Sequence, residues 1–367
     1  MARLCDILYV FPGTLWPVKG GGAARAWSLI DYFQTLGWNV HLVAPSHFPS
    51  DDTEIRTRVA EFWPVPKPWL PDPSRSGWLR RALEEFAEWV SPRRGPLLQP
   101  YSFLEDRRDP GLERHAIGVA EIVQPQVVFT SYVWTARLFG ELPAEMLKVL
   151  DTIDVQSQRA RAAKQAGGSF DSNYCSPEEE AVELRLADVL VAIQHEEGEE
   201  LRRLCPDRPV VVAQHSLAPA CCPSSPTSSQ DVLYVGNLYA PNVEGLKTFL
   251  EEVWPQVLAA VPGARLVVCG AVSEAFSNHR PDVHLHGVVP DLNPFYEQSA
   301  LVVNPTPYGT GLKIKSCEAL ARGKALVATR AGFLGMAESA REAAIVVESI
   351  PDLATPVIEL LNAPSCR

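Results

Sequence analysis

The sequence predicts an α/β protein made of two Rossmann-like domains that face each other across a cleft. Three observations lead there. Short apolar, β-branched runs alternate with segments of helical spacing, the alternation breaks once at a Pro/Ser/Thr-rich stretch, and it then restarts. Strand–helix alternation argues for parallel sheets covered on both faces, because each crossover lays a helix over the sheet. Ligands of such sheets sit outside the carboxyl ends of the strands, so two of them face to face suit a two-substrate enzyme.

The first half, residues 1–215, contains candidate strands at Leu4–Phe11, Asn39–Val43, Gln126–Thr130, Leu147–Leu150, Asp188–Ala192 and Pro209–Val212. Helical spacing falls at Ala23–Leu36 and Pro177–Leu186. Residues 216–230, SLAPACCPSSPTSSQ, have no periodicity and read as a linker. The second half, 231–367, contains candidate strands at Val232–Val235, Arg265–Cys269, Val283–Leu285, Ala300–Val303, Ala325–Ala328 and Ala343–Val347. Its helices are expected at Asn242–Ala260, Leu312–Arg322 and Asp352–Leu361.

The 367 residues are 46% hydrophobic and 21% charged, a globular balance with length for two cores. A net charge of −11 argues against a nucleic-acid partner, whose phosphates call for a basic face. No run of about 18 apolar residues is present to cross a bilayer. The N-terminus MARLCDILYVFPG lacks the cleavage site of a signal peptide, so a cytoplasmic setting is expected. The eight cysteines form no C-x-x-C pair, and neither they nor the eight histidines have metal-ligand spacing.

The most informative segment is NPTPYGTGLKIKSCEALARGKALVAT, residues 304–329. A strand runs into a loop with Gly309, Thr310 and Gly311, and a helix follows near Leu312. Glycines admit a ligand close to the backbone, and helix N-terminal N–H groups favour an anion. Lys313 and Lys315 add positive charge, and Glu318 stands where it can accept hydrogen bonds from vicinal hydroxyls. A phosphate site beside a carboxylate suits a nucleotide sugar; an ordinary glycine turn with solvated lysines has the same local pattern.

Residues 231–329 resemble the donor-binding domain of family-4 glycosyltransferases (glycosyl transferases group 1), which have the GT-B fold. The resemblance rests on Gly309, Gly311, Lys313, Lys315, Glu318, Ala319, Leu320, Ala321, Gly323, Lys324, Val327 and Thr329, together with LYVGNLYAPNVEGLKTFL (233–250) and VHLHGVVPDLNPFYEQSALVVNPT (283–306). It implies that Glu318 binds the nucleotide ribose and that the Gly309–Leu312 backbone contacts diphosphate or sugar. It likewise implies that Gly287 and Val289 border the base and that Gly236 and Asn237 lie under the phosphates. FPGTLWPVKGGGAARAWSLIDYFQTLGWNVHLVAP (11–45) resembles the family's opening strand and glycine loop, which makes Gly20, Gly21 and Gly22 a cleft loop, with Lys19 and Arg25 nearby. LDTIDVQSQRARA (150–162) resembles a cleft-facing segment, so Asp154 and Arg159 are candidates, Asp154 with Lys313 for catalysis. GGGAAR is not a dinucleotide fingerprint, and strand two ends HLVAPS without an acid for a ribose.

Three departures from the family are visible. Thr310 stands eight residues before Glu318, where many members have a second glutamate; Asn237 and Asn242 stand where many have Arg and Lys; and VVFTSYVWTAR has Ser131, Tyr132 and Trp134 but no His. His215 ends the last strand of the first half and is a further cleft candidate. The resemblance implies retaining transfer from a nucleoside diphosphate sugar to an acceptor hydroxyl, without cofactor or metal, and no D-x-D motif occurs. In the resembled fold the chain's end crosses back to the first domain, so the last helix, Asp352–Leu361, is expected near the hinge. The acceptor, whether glycan, lipid-linked, protein or small molecule, stays open. Two rivals also stay open: a nucleotide-sugar epimerase on the same fold, and an inactive partner subunit. Residues 76–95 have Leu79, Leu83, Phe86 and Val90 at helical spacing flanked by arginines, which suits peripheral membrane contact, although Glu84, Glu85 and Glu88 favour an ordinary amphipathic helix.

Overall fold

The computed structural model describes residues 5–16, 18, 20–46, 49–66, 103–165, 175–215, 217, 219–220, 228–277 and 280–366. The 76–95 segment, Lys19 and Cys221–Cys222 lie outside the described residues.

Two separate all-parallel sheets carry the chain. The first contains β1 (Asp6–Val10), β2 (Asn39–Ser46), β3 (Glu61–Pro66), β4 (Val127–Ser131), β5 (Leu147–Asp151), β6 (Val189–Ala192) and β7 (Val210–Val212), in the order β3-β2-β1-β4-β5-β6-β7. The second contains β8 (Asp231–Val235), β9 (Arg265–Cys269), β10 (Val283–Gly287), β11 (Leu301–Asn304), β12 (Leu326–Thr329) and β13 (Ala344–Val347), in the order β10-β9-β8-β11-β12-β13. Both orders reverse direction beside their first strand, between β1 and β4 and between β8 and β11. In the first half the α-helices are α1 (Gly21–Thr35), α2 (Pro49–Thr57), α3 (Phe103–Arg107), α4 (Pro110–Val123), α5 (Gln156–Gln165), α6 (Pro177–Leu184) and α7 (His195–Leu204). In the second half they are α8 (Ala240–Thr248), α9 (Trp254–Ala260), α10 (Asn293–Gln298), α11 (Ile314–Ala321) and α12 (Ala354–Asn362).

Each sheet buries both faces, as period-2 alternation requires. In β1, Leu8 and Val10 enter one core while Ile7 and Tyr9 enter the other. In β8, Val232 and Tyr234 face one core and Leu233 the opposite one.

Helices α2–α5, α7 and α10 were not named from the sequence, and four further elements differ from its expectation. Strand β3 contains Pro64 and Pro66, which argue against a central strand, yet it lies at the sheet edge, the place in a sheet where proline is tolerated. The helix expected over Asn242–Ala260 is interrupted by a π-turn at Phe249–Val253 just before Pro255. Proline lacks the N–H and crowds the carbonyl four residues back, so the α ladder cannot continue through it. The donor-loop helix starts at Ile314 rather than Leu312, with Lys313 as its N-cap. The last helix, expected to cross back to the first domain, instead buries Val357, Leu360 and Leu361 in the second core beside Trp254. Its apolar stripe matches that core, so burial holds it there.

One buried ion pair ties the first domain together. Arg25, on α1, donates from Nε to both carboxyl oxygens of Asp151 (3.1 and 2.8 Å) and from Nη2 to Oδ1 (2.7 Å). Their side chains are 1% and 0% exposed. A bidentate guanidinium–carboxylate pair satisfies both charges where water cannot. Asp151→Ala strands the guanidinium and is expected to cost roughly 3–5 kcal/mol of stability in urea denaturation. A loss below about 1 kcal/mol, the scale of a surface pair, would mean the pair does not hold α1 to β5.

Candidate active site

Every candidate residue group stands at the carboxyl end of a strand or on the helix that follows it, the region where open α/β sheets bind ligands. Gly20–Gly22 follow β1 and Tyr132 follows β4, the two strands that flank the reversal of the first sheet. Gly236 and Asn237 follow β8, and Gly309–Lys313 follow β11, which flank the reversal of the second.

The two domains meet at these loops. A Cβ on Gly21 would stand 2.6 Å from Ile314 Cδ1, so the N-terminus of α1 abuts the N-terminus of α11. A Cβ on Gly311 would stand 2.5 Å from Asp154 Oδ1 and 3.5 Å from Glu197 Oε1. The Arg159 guanidinium lies 5.1 Å from the Tyr239 ring centre. Gly335, at φ +78°, admits both Gln194 Oε1 and the Leu312 backbone against its Cα. Gly309 and Gly311 have φ of +144° and +75°, conformations open to glycine and strained for other residues.

The first domain's wall is built from strained and buried groups. Tyr132 has φ +73°, its hydroxyl lies against Gly22, and its ring stacks on Trp134 at 4.5 Å. Its N–H donates to the Asp151 carbonyl at 2.8 Å. Ile153, β-branched, has φ +62°, an outlier next to Asp154. Beyond it, the buried Glu180 carboxylate accepts from the Gln156 and Ser157 N–H groups at 2.7 and 2.9 Å, capping the start of α5 and fixing the segment that presents Asp154. Burial raises the Asp154 carboxyl above its ordinary range, opposed by the charges of Arg159 and Lys313. Arg159 Nη1 is 3.8 Å from Asp154 Oδ2. Burial and Asp154 push Glu197 up well above the carboxylate range, with Lys313 opposing. His215 is buried, and burial followed by the Arg25 charge lowers it to about 4, so it is neutral at pH 7.

The second domain supplies cations and hydrogen-bonding groups. Lys313 Nζ donates to the Thr310 carbonyl at 2.6 Å; burial lowers its pKa, and Asp154 opposes that fall. Lys315 Nζ donates to Asn242 Oδ1 at 2.7 Å and lies 5.0 Å from the Tyr234 ring centre. Burial, then the charge of Lys313, brings Lys315 down to about 7. Asn242 Nδ2 in turn donates to Asn237, so a hydrogen-bonded string joins α11 to the turn after β8. Gly236 is packed close, its carbonyl occupying the place of a Gly270 side chain. Glu318, on α11, accepts from the Tyr296 hydroxyl at 3.3 Å; burial raises it, while Arg322 and that hydrogen bond oppose the rise. Gly287 (φ +66°) ends β10, and Val289 packs on the cluster that also holds Tyr296.

The structure thus brings together Gly21, Gly22, Tyr132, Asp154, Gly311 and Lys313, and links Asn237 to Lys315. Nothing lies within 4 Å of a Cβ on Gly20 or Gly287, so those two glycines border open space. Glu197 and Gln194 went unmarked in the sequence because HEEGEELRR reads as a run of solvated charges. The available signal was helical spacing, which sets Glu197, Leu201 and Leu204 on the buried face of α7. Among the described residues no group of three or more His, Cys, Asp or Glu could hold a metal ion, and no helix is long and apolar enough to cross a membrane.

Residues 229–363 match the family described as glycosyl transferases group 1. An uncharacterised 44.6 kDa protein in the cps region of Klebsiella pneumoniae is 27% identical over 117 residues, which are 29% of this chain and 30% of that protein. The match therefore spans less than a third of that relative's length. Solved structures resemble the fold over nearly the whole chain. TarM has a TM-score of 0.69 at 10% identity, covering 99% of this chain and 93% of its own. Sucrose-phosphate synthase from Thermosynechococcus elongatus has 0.68 at 16%, covering 99% and 91%. Anabaena HepE, solved with UDP-glucose, has 0.61 at 12%, covering 99% and 94%. The architecture is that of GT-B glycosyltransferases.

Gly311→Ala puts a side chain at positive φ and against Asp154. It is expected to lower stability by about 1–2 kcal/mol from the backbone alone, read as a fall in the thermal midpoint. Adding Asp154→Ala removes the steric part but not the backbone part. A wild-type midpoint in the single variant would contradict the placement of this loop.

Proposed function

We propose that this chain, a GT-B glycosyltransferase whose residues 229–363 match the glycosyl transferases group 1 family, moves a hexosyl group from a nucleoside diphosphate sugar to an acceptor hydroxyl, with retention and without a metal. The observation that carries the reading is the meeting of two helix N-termini, Gly21 against Ile314, beside Lys313 and Lys315 at the facing sheet reversals. The leaving diphosphate gains charge as the glycosidic bond breaks. Oriented N–H groups and buried ammonium groups stabilise that charge without a cation. Asn237 and Gly236 lie under the phosphates, Gly287 and Val289 border the base, and Glu318 takes the ribose hydroxyls. The Gly20–Gly22 loop and Tyr132 close the cleft from the other side and exclude water that would hydrolyse the donor. Asp154 and Lys313 face the reacting centre from opposite domains. UDP-glucose in HepE supports a nucleotide-sugar donor for this chain. A cytoplasmic setting belongs to the same proposal, with the acceptor's class left to experiment.

Glu318→Ala is expected to weaken nucleotide binding by roughly 1.5–3 kcal/mol, the worth of a hydrogen bond to a charged group. Calorimetry with UDP, GDP and ADP measures it, and unchanged affinity in the variant would remove Glu318 from the site.

Lys315 also makes the site pH-dependent. Its folded pKa of about 7 lies below the unfolded lysine value, so the folded chain holds fewer protons between them and stability rises with pH across that window. A bound diphosphate favours the ammonium form, so above pH 7 binding must take up a proton. Affinity should therefore decline above pH 7, by at most about tenfold per unit, and Lys315→Met should flatten that profile. A profile unaltered by the substitution would place the diphosphate elsewhere.

A further inference from the structure

Glu197 is fully buried where the first domain meets the Gly309–Gly311 loop, and neither of its carboxyl oxygens has a hydrogen-bond partner. Such a group is costly to leave unmet, because burial removes its water and nothing replaces it. Its surroundings are in the same condition. Arg25 Nη1, both ring nitrogens of His215 and Gln194 Oε1 are also buried and unpartnered. These atoms belong to one region: the Arg25 charge acts on both His215 and Glu197, and Lys313 acts on Glu197. Glu197 Oε1 faces the donor loop, 3.5 Å from the place of a Gly311 side chain, with Asp154 Oδ1 2.5 Å from it.

We propose that Glu197 is a sugar-binding residue, whose carboxyl, with Asp154 beside it, accepts hydrogen bonds from hydroxyls of the transferred hexose. The inference rests on the glycosyltransferase reading and extends it to a subsite. Two adjacent carboxyls make a wall rich in hydrogen-bond acceptors, so its occupant is a donor of hydrogen bonds. A phosphate, which brings no O–H to those acceptors, belongs on the other side of the Gly309–Gly311 loop, with Lys315 and the start of α11. A divalent cation lacks ligands, since no third carboxylate, histidine or cysteine joins the pair among the described residues. A purely structural carboxyl would have a partner in the fold, as Glu180 does in the Gln156 and Ser157 N–H groups. The subsite therefore selects a neutral, hydroxylated hexose over a hexuronate.

Matched ligands separate this inference from the reading it rests on. UDP is compared with UDP-glucose and UDP-glucuronate, and GDP with GDP-mannose, by calorimetry on the full chain and on Glu197→Gln and Glu197→Leu. The wild type should bind one neutral nucleotide hexose about tenfold tighter than its parent diphosphate and gain nothing from the glucuronate. In both variants the parent diphosphate should bind as before while the gain from the hexose disappears. Their thermal midpoints should equal or exceed that of the wild type, because removing an unmet buried carboxyl relieves the fold. A hexose gain that survives both substitutions overturns the inference. So does an equal gain from the glucuronate, or the absence of a gain from every hexose. Lowered midpoints with weakened diphosphate binding in both variants assign Glu197 a structural role and overturn it too. If no nucleotide binds the wild type, the glycosyltransferase reading fails first and this inference fails with it.

Discussion

The Arg25–Asp151 pair is the constraint on which the cleft depends. It joins the first helix to the end of the fifth strand inside a core where neither charge reaches water. Around it the chain makes its irregular turns. Tyr132 donates its N–H to the Asp151 carbonyl, and Ile153 turns through positive φ two residues later. Strain of this kind persists only where surrounding contacts over-determine the backbone. A bidentate buried pair does so more rigidly than apolar packing, whose contacts lack direction. The Gly21–Gly22 loop, Tyr132 and Asp154 thus share one anchor, although β1, β4 and β5 contribute them separately.

Across the cleft, the arrangement is a matter of what is missing as much as what is present. Glycine at 21, 22, 311 and 335 lets backbone, hydroxyl and carboxyl groups approach to distances that a side chain would forbid. The close approach brings Lys313 under the influence of Asp154 and Glu197. Each charge there is partly desolvated, and each is partly compensated by a group on the opposite domain. Opposite charges across an interface favour its closed arrangement without the specific packing of an obligate interface. A polyanionic ligand with hydroxyls can then meet both walls at once: phosphates on the helix starts and lysines, hydroxyls on the carboxyls.

Much of the fold was legible in the sequence because its signal is local. Apolar β-branched runs such as Arg265–Cys269 and Asn39–Val43 coincide with strands, and the loop at Gly309–Gly311 stands where glycine and lysine spacing placed it. The edge strand Glu61–Pro66 was hidden because its prolines speak against a strand unless its position in the sheet is known, and sheet order is a non-local property. The π-turn before Pro255 was hidden because an apolar period persists through it while the hydrogen-bond ladder shifts. Within the site, the resemblance named Asp154 and Lys313 together, but their proximity was beyond local signals, since 158 residues of chain lie between them. Glu197 was hidden by its neighbours: four acids in the six residues Glu196–Leu201 look solvated, and only the face of the helix decides which one is buried.

The distribution of unmet polar atoms is the deeper regularity. A folded chain satisfies nearly all of its buried polar groups, because each unmet one subtracts from a small net stability. Here several of them gather at the carboxyl ends of β6 and β7, on Gln194, Glu197 and His215, beside a lysine whose own charge is disfavoured by burial. Scattered through the cores, such atoms would be defects with unrelated causes. Gathered where the two domains meet, they fit the proposed sugar site, as preorganised groups whose desolvation cost is met during folding. On that proposal, stability given up there is regained as binding, whereas Glu180, equally buried, is capped by the Gln156 and Ser157 N–H groups of its own domain.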